Sequence, residues 1–162
     1  MKIAGKTIGD YTAVVVVPAV VALVTVLLAT FLKIAWFTAF WFLRMGQTAL
    51  LLLDILVYVG WAVTVVVFLG LAIYTGRAAA KRGFSTAQIA ATGALMGAIA
   101  GVGVILYRTF TIVRKLYTQG FMGSLMDIVK FVLIVLLAPL VLAAVFAVIA
   151  AVVGKVAGVK GK

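Results

Sequence analysis

Four stretches of the chain run almost without a charged residue: Tyr11 to Leu32, Ile55 to Gly76, Thr86 to Tyr107 and Phe131 to Val153. Each supplies about 20 residues, which at a rise of 1.5 Å per residue covers the roughly 30 Å of a hydrocarbon core. The pattern predicts an all-α, polytopic integral membrane protein: a bundle of four long antiparallel transmembrane helices, at about 8–45, 48–82, 86–119 and 125–154, making one domain over 1–162. Four crossings place both termini on one side of the membrane. The apolar run behind Lys2 and Lys6 is too long for a secretory leader, and no small-residue cleavage pattern closes it, so it reads as a retained first helix.

Capping chemistry locates the breaks. In "AAAKRGFSTAQIA", Gly83 suits the left-handed position after a helix end, and Lys81 and Arg82 sit where the helix dipole favours cations. Ser85 with Gln88 makes a capping box for the next helix, and Phe84 with Ile89 a hydrophobic staple. In "TQGFMGSLMDI", Gly120 is expected to end the third helix and Ser124 with Asp127 to open the fourth. Gly46 offers the first break and Thr48 its cap.

Helices of this length outreach one hydrocarbon core, and the excess falls at the end away from the termini. There Lys33, Asp54, Arg108 and Lys130 are expected to share one level at the far headgroup boundary, with Asp54 in an ion pair with one of the three cations. The first helix is expected to run on past Lys33, carrying Trp36, Phe37, Phe40 and Trp41 against the amphipathic stretch from Arg108 to Gln119. The rival geometry lays residues 34–43 flat in the interface, as Trp36 and Trp41 suit an aromatic belt.

Composition agrees with the pattern and narrows the chemistry. Hydrophobic residues make up 67% of the chain and charged residues 10%, outside the range of ordinary soluble domains. Histidine, cysteine and glutamate are absent, which leaves no donor set for a transition-metal site and no base to activate the few hydroxyls; no enzyme activity, metal or cofactor is expected. The net charge of +11 flanks the apolar spans, where attraction to anionic lipid headgroups is the common cause. Arg77, Lys81, Arg82 and Lys155 are the candidate headgroup contacts, and nucleic acid is not an expected partner. The terminal side carries more of the cations, so positive-inside bias favours cytoplasmic termini.

Two features bear on function. Gly93, Gly97 and Gly101 recur every four residues beside Ala90, Ala94 and Ala98, a smooth strip suited to close backbone contact. That contact falls either inside the bundle or, with Trp36, Phe40 and Trp41, between copies. Asp54 is the one acid adjoining an apolar span, a candidate for an ion pair with Lys33, Arg108 or Lys130, or for an ion or proton site. Pro18 and Pro139 each bend a helix. The expected function is a non-enzymatic structural or assembly subunit of a homo-oligomeric or larger membrane-embedded or lipid-containing assembly, such as a filament, virion or membrane complex. The alternative is a channel, holin-like pore or transporter subunit that uses Asp54.

Overall fold

The computed structural model describes the backbone of residues 2–3, 6–41 and 46–159, and the side chains of 6–35, 38, 46, 48, 51–113, 116 and 125–158. A two-residue strand β1 (Lys2–Ile3) pairs antiparallel with β2 (Lys6–Thr7), followed by α1 (Ile8–Trp41), α2 (Gln47–Lys81) and α3 (Thr86–Val159). Four segments are long and apolar enough to cross a membrane: Ile8–Ala35 in α1, Leu51–Lys81 in α2, and Thr86–Val113 and Leu125–Gly158, both in α3. The all-α four-helix bundle is therefore the architecture of the chain, with α3 contributing two limbs.

The α2–α3 turn has the geometry its residues dictate. Gly83 takes φ +68. Its N–H donates to the Ala80 carbonyl (3.0 Å) and that of Phe84 to the Ala79 carbonyl (3.2 Å), the two bonds of a Schellman motif. Ser85 N–H donates to Gln88 Oε1 (2.7 Å) and Gln88 N–H to Ser85 Oγ (3.4 Å), closing the capping box. Phe84 and Ile89 are buried in one cluster with Val14, Ala79 and Ala150, which ties the turn to the ends of α1 and α3.

Elsewhere the local signals gave way. The N-terminal hairpin was not expected, and α1 opens on a second capping box: Thr7 N–H donates to Asp10 Oδ2 (2.8 Å) and Asp10 N–H to Thr7 Oγ1 (3.3 Å). At α2 the cap position is Gly46 with no side-chain bond to the helix, and Thr48 lies exposed inside the first turn instead of capping it. Helical backbone is carried from Thr86 to Val159, yet Gly93 packs on Phe146 and Gly101 on Pro139, so the chain reverses between the two limbs, in the region where the stop at Gly120 and restart at Ser124 are expected; the side chains there lie outside those described.

The limbs of α3 lie antiparallel with their backbones in contact. A methyl group placed on Gly93 would stand 2.5 Å from the Phe146 carbonyl oxygen, and one on Gly101 2.5 Å from the Pro139 Cα. At Gly97 it would collide with the Leu142 carbonyl. The same closeness recurs between α2 and the returning limb, where a methyl group placed on Gly76 would stand 2.5 Å from the Ala150 carbonyl oxygen. The glycine strip is thus engaged within the chain, with Ala90, Ala94 and Ala98 half-buried along its margin. Around it, Val15, Ala22 and Val26 of α1, Phe68 and Ala72 of α2, Met96, Ala100 and Tyr107 of the outgoing limb and Phe146 of the returning limb form the core.

Buried hydroxyls do not disturb this core, because Thr64, Thr75 and Thr92 each donate to the carbonyl four residues earlier, at 2.8, 2.7 and 2.7 Å. Replacing Gly97 by valine forces the limbs apart and lowers stability by about 1–3 kcal/mol. Gly70, with nothing within 4 Å, accepts alanine with a gain of up to about 1 kcal/mol. Unfolding midpoints in detergent micelles check both.

Candidate functional site

Two polar regions mark the ends of the bundle. At the end away from the termini, Tyr107 is 2% exposed and joins the three helices. Trp61 of α2 stands edge-on to its ring, with centroids 4.5 Å apart, and donates its indole N–H to the Tyr107 hydroxyl at 3.0 Å. Lys33 of α1 lays its ammonium 5.0 Å from the same ring, a cation–π contact that lets a half-buried cation keep a favourable partner. The reason is local: Gly60 lacks a side chain, so α1 approaches α2 closely at Leu32, and Lys33 is delivered to the Trp61–Tyr107 pair.

This registry moves Asp54 away from the level expected for the charges, while Lys33, beside Tyr107, and Arg108 and Lys130, which line one cavity, stay close to it. Lys33 lies level with Trp61 and Tyr107, and Asp54 stands seven residues before Trp61, about 10 Å further out along α2. Asp54 is exposed and, among the described residues, makes no ion pair with Lys33, Arg108 or Lys130. The carboxylate that does stand with Arg108 and Lys130 is Asp127: with Thr111 these residues line a cavity of about 340 Å³ between the two limbs of α3. The antiparallel packing of Gly101 on Pro139 brings them together, a long-range consequence no local motif announces.

Tyr58 and Tyr74, 71% and 52% exposed, lie 16 residues apart on α2, a separation of about 24 Å. Exposed tyrosines at that spacing suit the two interfaces of one hydrocarbon core. With the two tyrosines taken as boundaries, Asp54 falls one turn beyond one and Arg77 about one turn beyond the other.

At the terminal end, Lys6 donates to the Arg82 carbonyl (3.1 Å) at the C-terminus of α2 and stands 5.2 Å from the Phe84 ring, while Tyr11 meets Phe84 edge-on at 5.2 Å. The N-terminal hairpin is thereby pinned to the α2–α3 turn. Arg77 and Lys81, one turn apart, line a groove of about 710 Å³ with Val152, Val153, Val156 and Gly158. Lys155 lines a neighbouring recess with Ser85, Thr86 and Gly154, and Arg82 is exposed at the turn. The four candidate headgroup cations thus occupy one end of the molecule. The helix α1 continues through Lys33 to Trp41, while the side chains of Trp36, Phe37, Phe40 and Trp41 lie outside those described. Among the described residues, no group of three or more acidic, histidine or cysteine side chains gathers into a metal site.

Fold and composition together define the class: a chain of four long apolar helical segments, consistent with a multi-pass membrane protein. Compared with known proteins, it matches no family model, no curated protein and no solved structure.

Sequence reasoning missed the Trp61–Tyr107 hydrogen bond, although a tryptophan and a tyrosine inside apolar spans each carry a polar group that seeks a partner when buried. Trp61→Phe removes that bond and lowers stability by about 0.5–1.5 kcal/mol. A double-mutant cycle with Tyr107→Phe, followed by thermal unfolding in detergent, is expected to show the two losses to be non-additive.

Proposed function

We propose that the chain is a non-enzymatic structural subunit that packs, with further copies or other membrane subunits, into a larger membrane-embedded or lipid-containing assembly. The observation that carries this reading is the apolar surface beyond the Tyr58 level. Leu51, Leu52, Leu125 and Met126 are 62%, 58%, 50% and 66% exposed, and the antiparallel registry places them at or beyond Asp54. Helices of 34 and 35 residues, α1 and α2, extend about 50 Å, some 20 Å more than a hydrocarbon core shelters. Apolar surface standing outside lipid is sheltered by protein contact. The small-residue strip is spent inside the chain, so association rests on these larger side chains.

Native mass spectrometry and cross-linking in lipid nanodiscs are expected to show a multi-copy species. Replacing Leu51, Leu52 and Met126 together by serine is expected to weaken it by at least about tenfold, since each such side chain contributes about 1.5–3 kcal/mol when fully buried. A chain that stays single at every concentration and in its native membrane refutes the reading.

The second reading, a channel, holin-like pore or transporter subunit, rests on Asp54, whose carboxylate has no ion-pair partner among the described residues and stands open to a permeating cation. In vesicles it expects a cation or proton flux that Asp54→Asn abolishes. The assembly reading expects no flux from either protein.

A further inference from the structure

We propose that the groove between α2 and the last turns of α3 is a binding site for an anionic phospholipid. Arg77 and Lys81 hold its phosphate beside Val152 and Val156, and an acyl chain runs inward past Val148 and Val145. The site is independent of whether copies assemble.

Four observations converge on it. Arg77 and Lys81 are four residues apart and line the same groove, so two like charges share one helix face, an arrangement that repels unless an anion lies between them. Among the described residues neither cation makes a hydrogen bond or ion pair, and none of the chain's three aspartates lines the groove. The opposite wall is apolar: Val152 and Val156 are 58% and 57% exposed one turn apart on the returning limb of α3, and they continue as an apolar face toward the bilayer centre through Val148 and Val145. The depth is also right, since Tyr74, the interfacial tyrosine, precedes Arg77 by less than a turn of α2.

Local packing explains why there is room. The backbones of α2 and α3 touch at Gly76 and Ala150, and beyond that contact the lining positions Ala80, Ala157 and Gly158 are small, so the helices leave a cavity of about 710 Å³ at the bundle end. That volume falls within the roughly 300–1,000 Å³ of ordinary ligand sites. A cationic groove that leads inward onto the apolar face of Val148 and Val145 matches a molecule with an anionic head and a hydrocarbon tail. A free phosphate would satisfy the groove and leave that face idle.

The test uses the full-length protein in detergent, with native mass spectrometry counting bound phosphatidylglycerol, phosphatidylcholine or inorganic phosphate during titration. Phosphatidylglycerol is expected to bind in preference to phosphatidylcholine. The double variant Arg77→Gln with Lys81→Gln is expected to weaken phosphatidylglycerol by about tenfold to thirtyfold, while Arg77→Lys keeps it within about threefold. Val145→Ser with Val148→Ser weakens both lipids, and Lys130→Gln at the far end changes neither. All substituted positions carry exposed side chains, and equal lipid-free melting temperatures confirm that each variant folds. Three results overturn the proposal: equal binding of the two lipids, unchanged phosphatidylglycerol binding in the glutamine double variant, or inorganic phosphate competing at the affinity of the lipid, which marks a free-anion site.

Discussion

The contact on which the rest of the structure depends is backbone against backbone, where the Gly93, Gly97 and Gly101 face meets the returning limb of α3 at Phe146, Leu142 and Pro139. Between helices in lipid there is little hydrophobic drive, because an acyl chain is as apolar as leucine. What remains is dispersion, summed over many small contacts and lost quickly with distance. Glycine on one helix lets the other approach until carbonyl oxygens and α-carbons touch. Because the strip is long, it aligns the two limbs in register, and the register determines what the far end brings together.

The consequences run outward from that register. Gly101 against Pro139 places Arg108 and Thr111 beside Asp127 and Lys130, and Gly76 against Ala150 closes α2 onto the same limb before opening the groove at Arg77 and Lys81. The returning limb is held mainly along one stripe. In its most apolar window only 6% of residues are buried, and Val132, Leu136, Leu140, Val148 and Val152 look outward. Such a face suits lipid or another helix. A soluble domain would leave it exposed to water at a cost of roughly 25 cal/mol for each Å².

Polar groups follow the same economy. The threonines turn back on their own helices, Trp61 finds Tyr107, and Lys33 lies over an aromatic ring, so the interior carries few unmet demands. Charges outside the apolar core are concentrated at its two ends. The terminal end has the stronger cationic character among the described residues, with Lys6, Arg77, Lys81, Arg82 and Lys155 gathered there and Asp10 engaged by Thr7.

By itself the sequence determined the four apolar spans, their all-helical character and the hairpin at Gly83, because span length, left-handed glycine and the Ser85–Gln88 box are local properties of consecutive residues. The capping box at Thr7 and Asp10 was equally local and legible in "TIGD", though the strand pair before it carries too few residues to leave a pattern. Tertiary structure decided the rest. Whether the glycine strip faces its own chain or another, whether Asp54 or Asp127 stands beside Arg108, and whether Arg77 and Lys81 open onto an apolar wall all depend on helix registry. Registry is a sum of contacts between residues about 28 to 77 positions apart, and a 3.6-residue period offers several registers that look alike from one helix. Only the fit of small residues against a particular partner backbone selects among them.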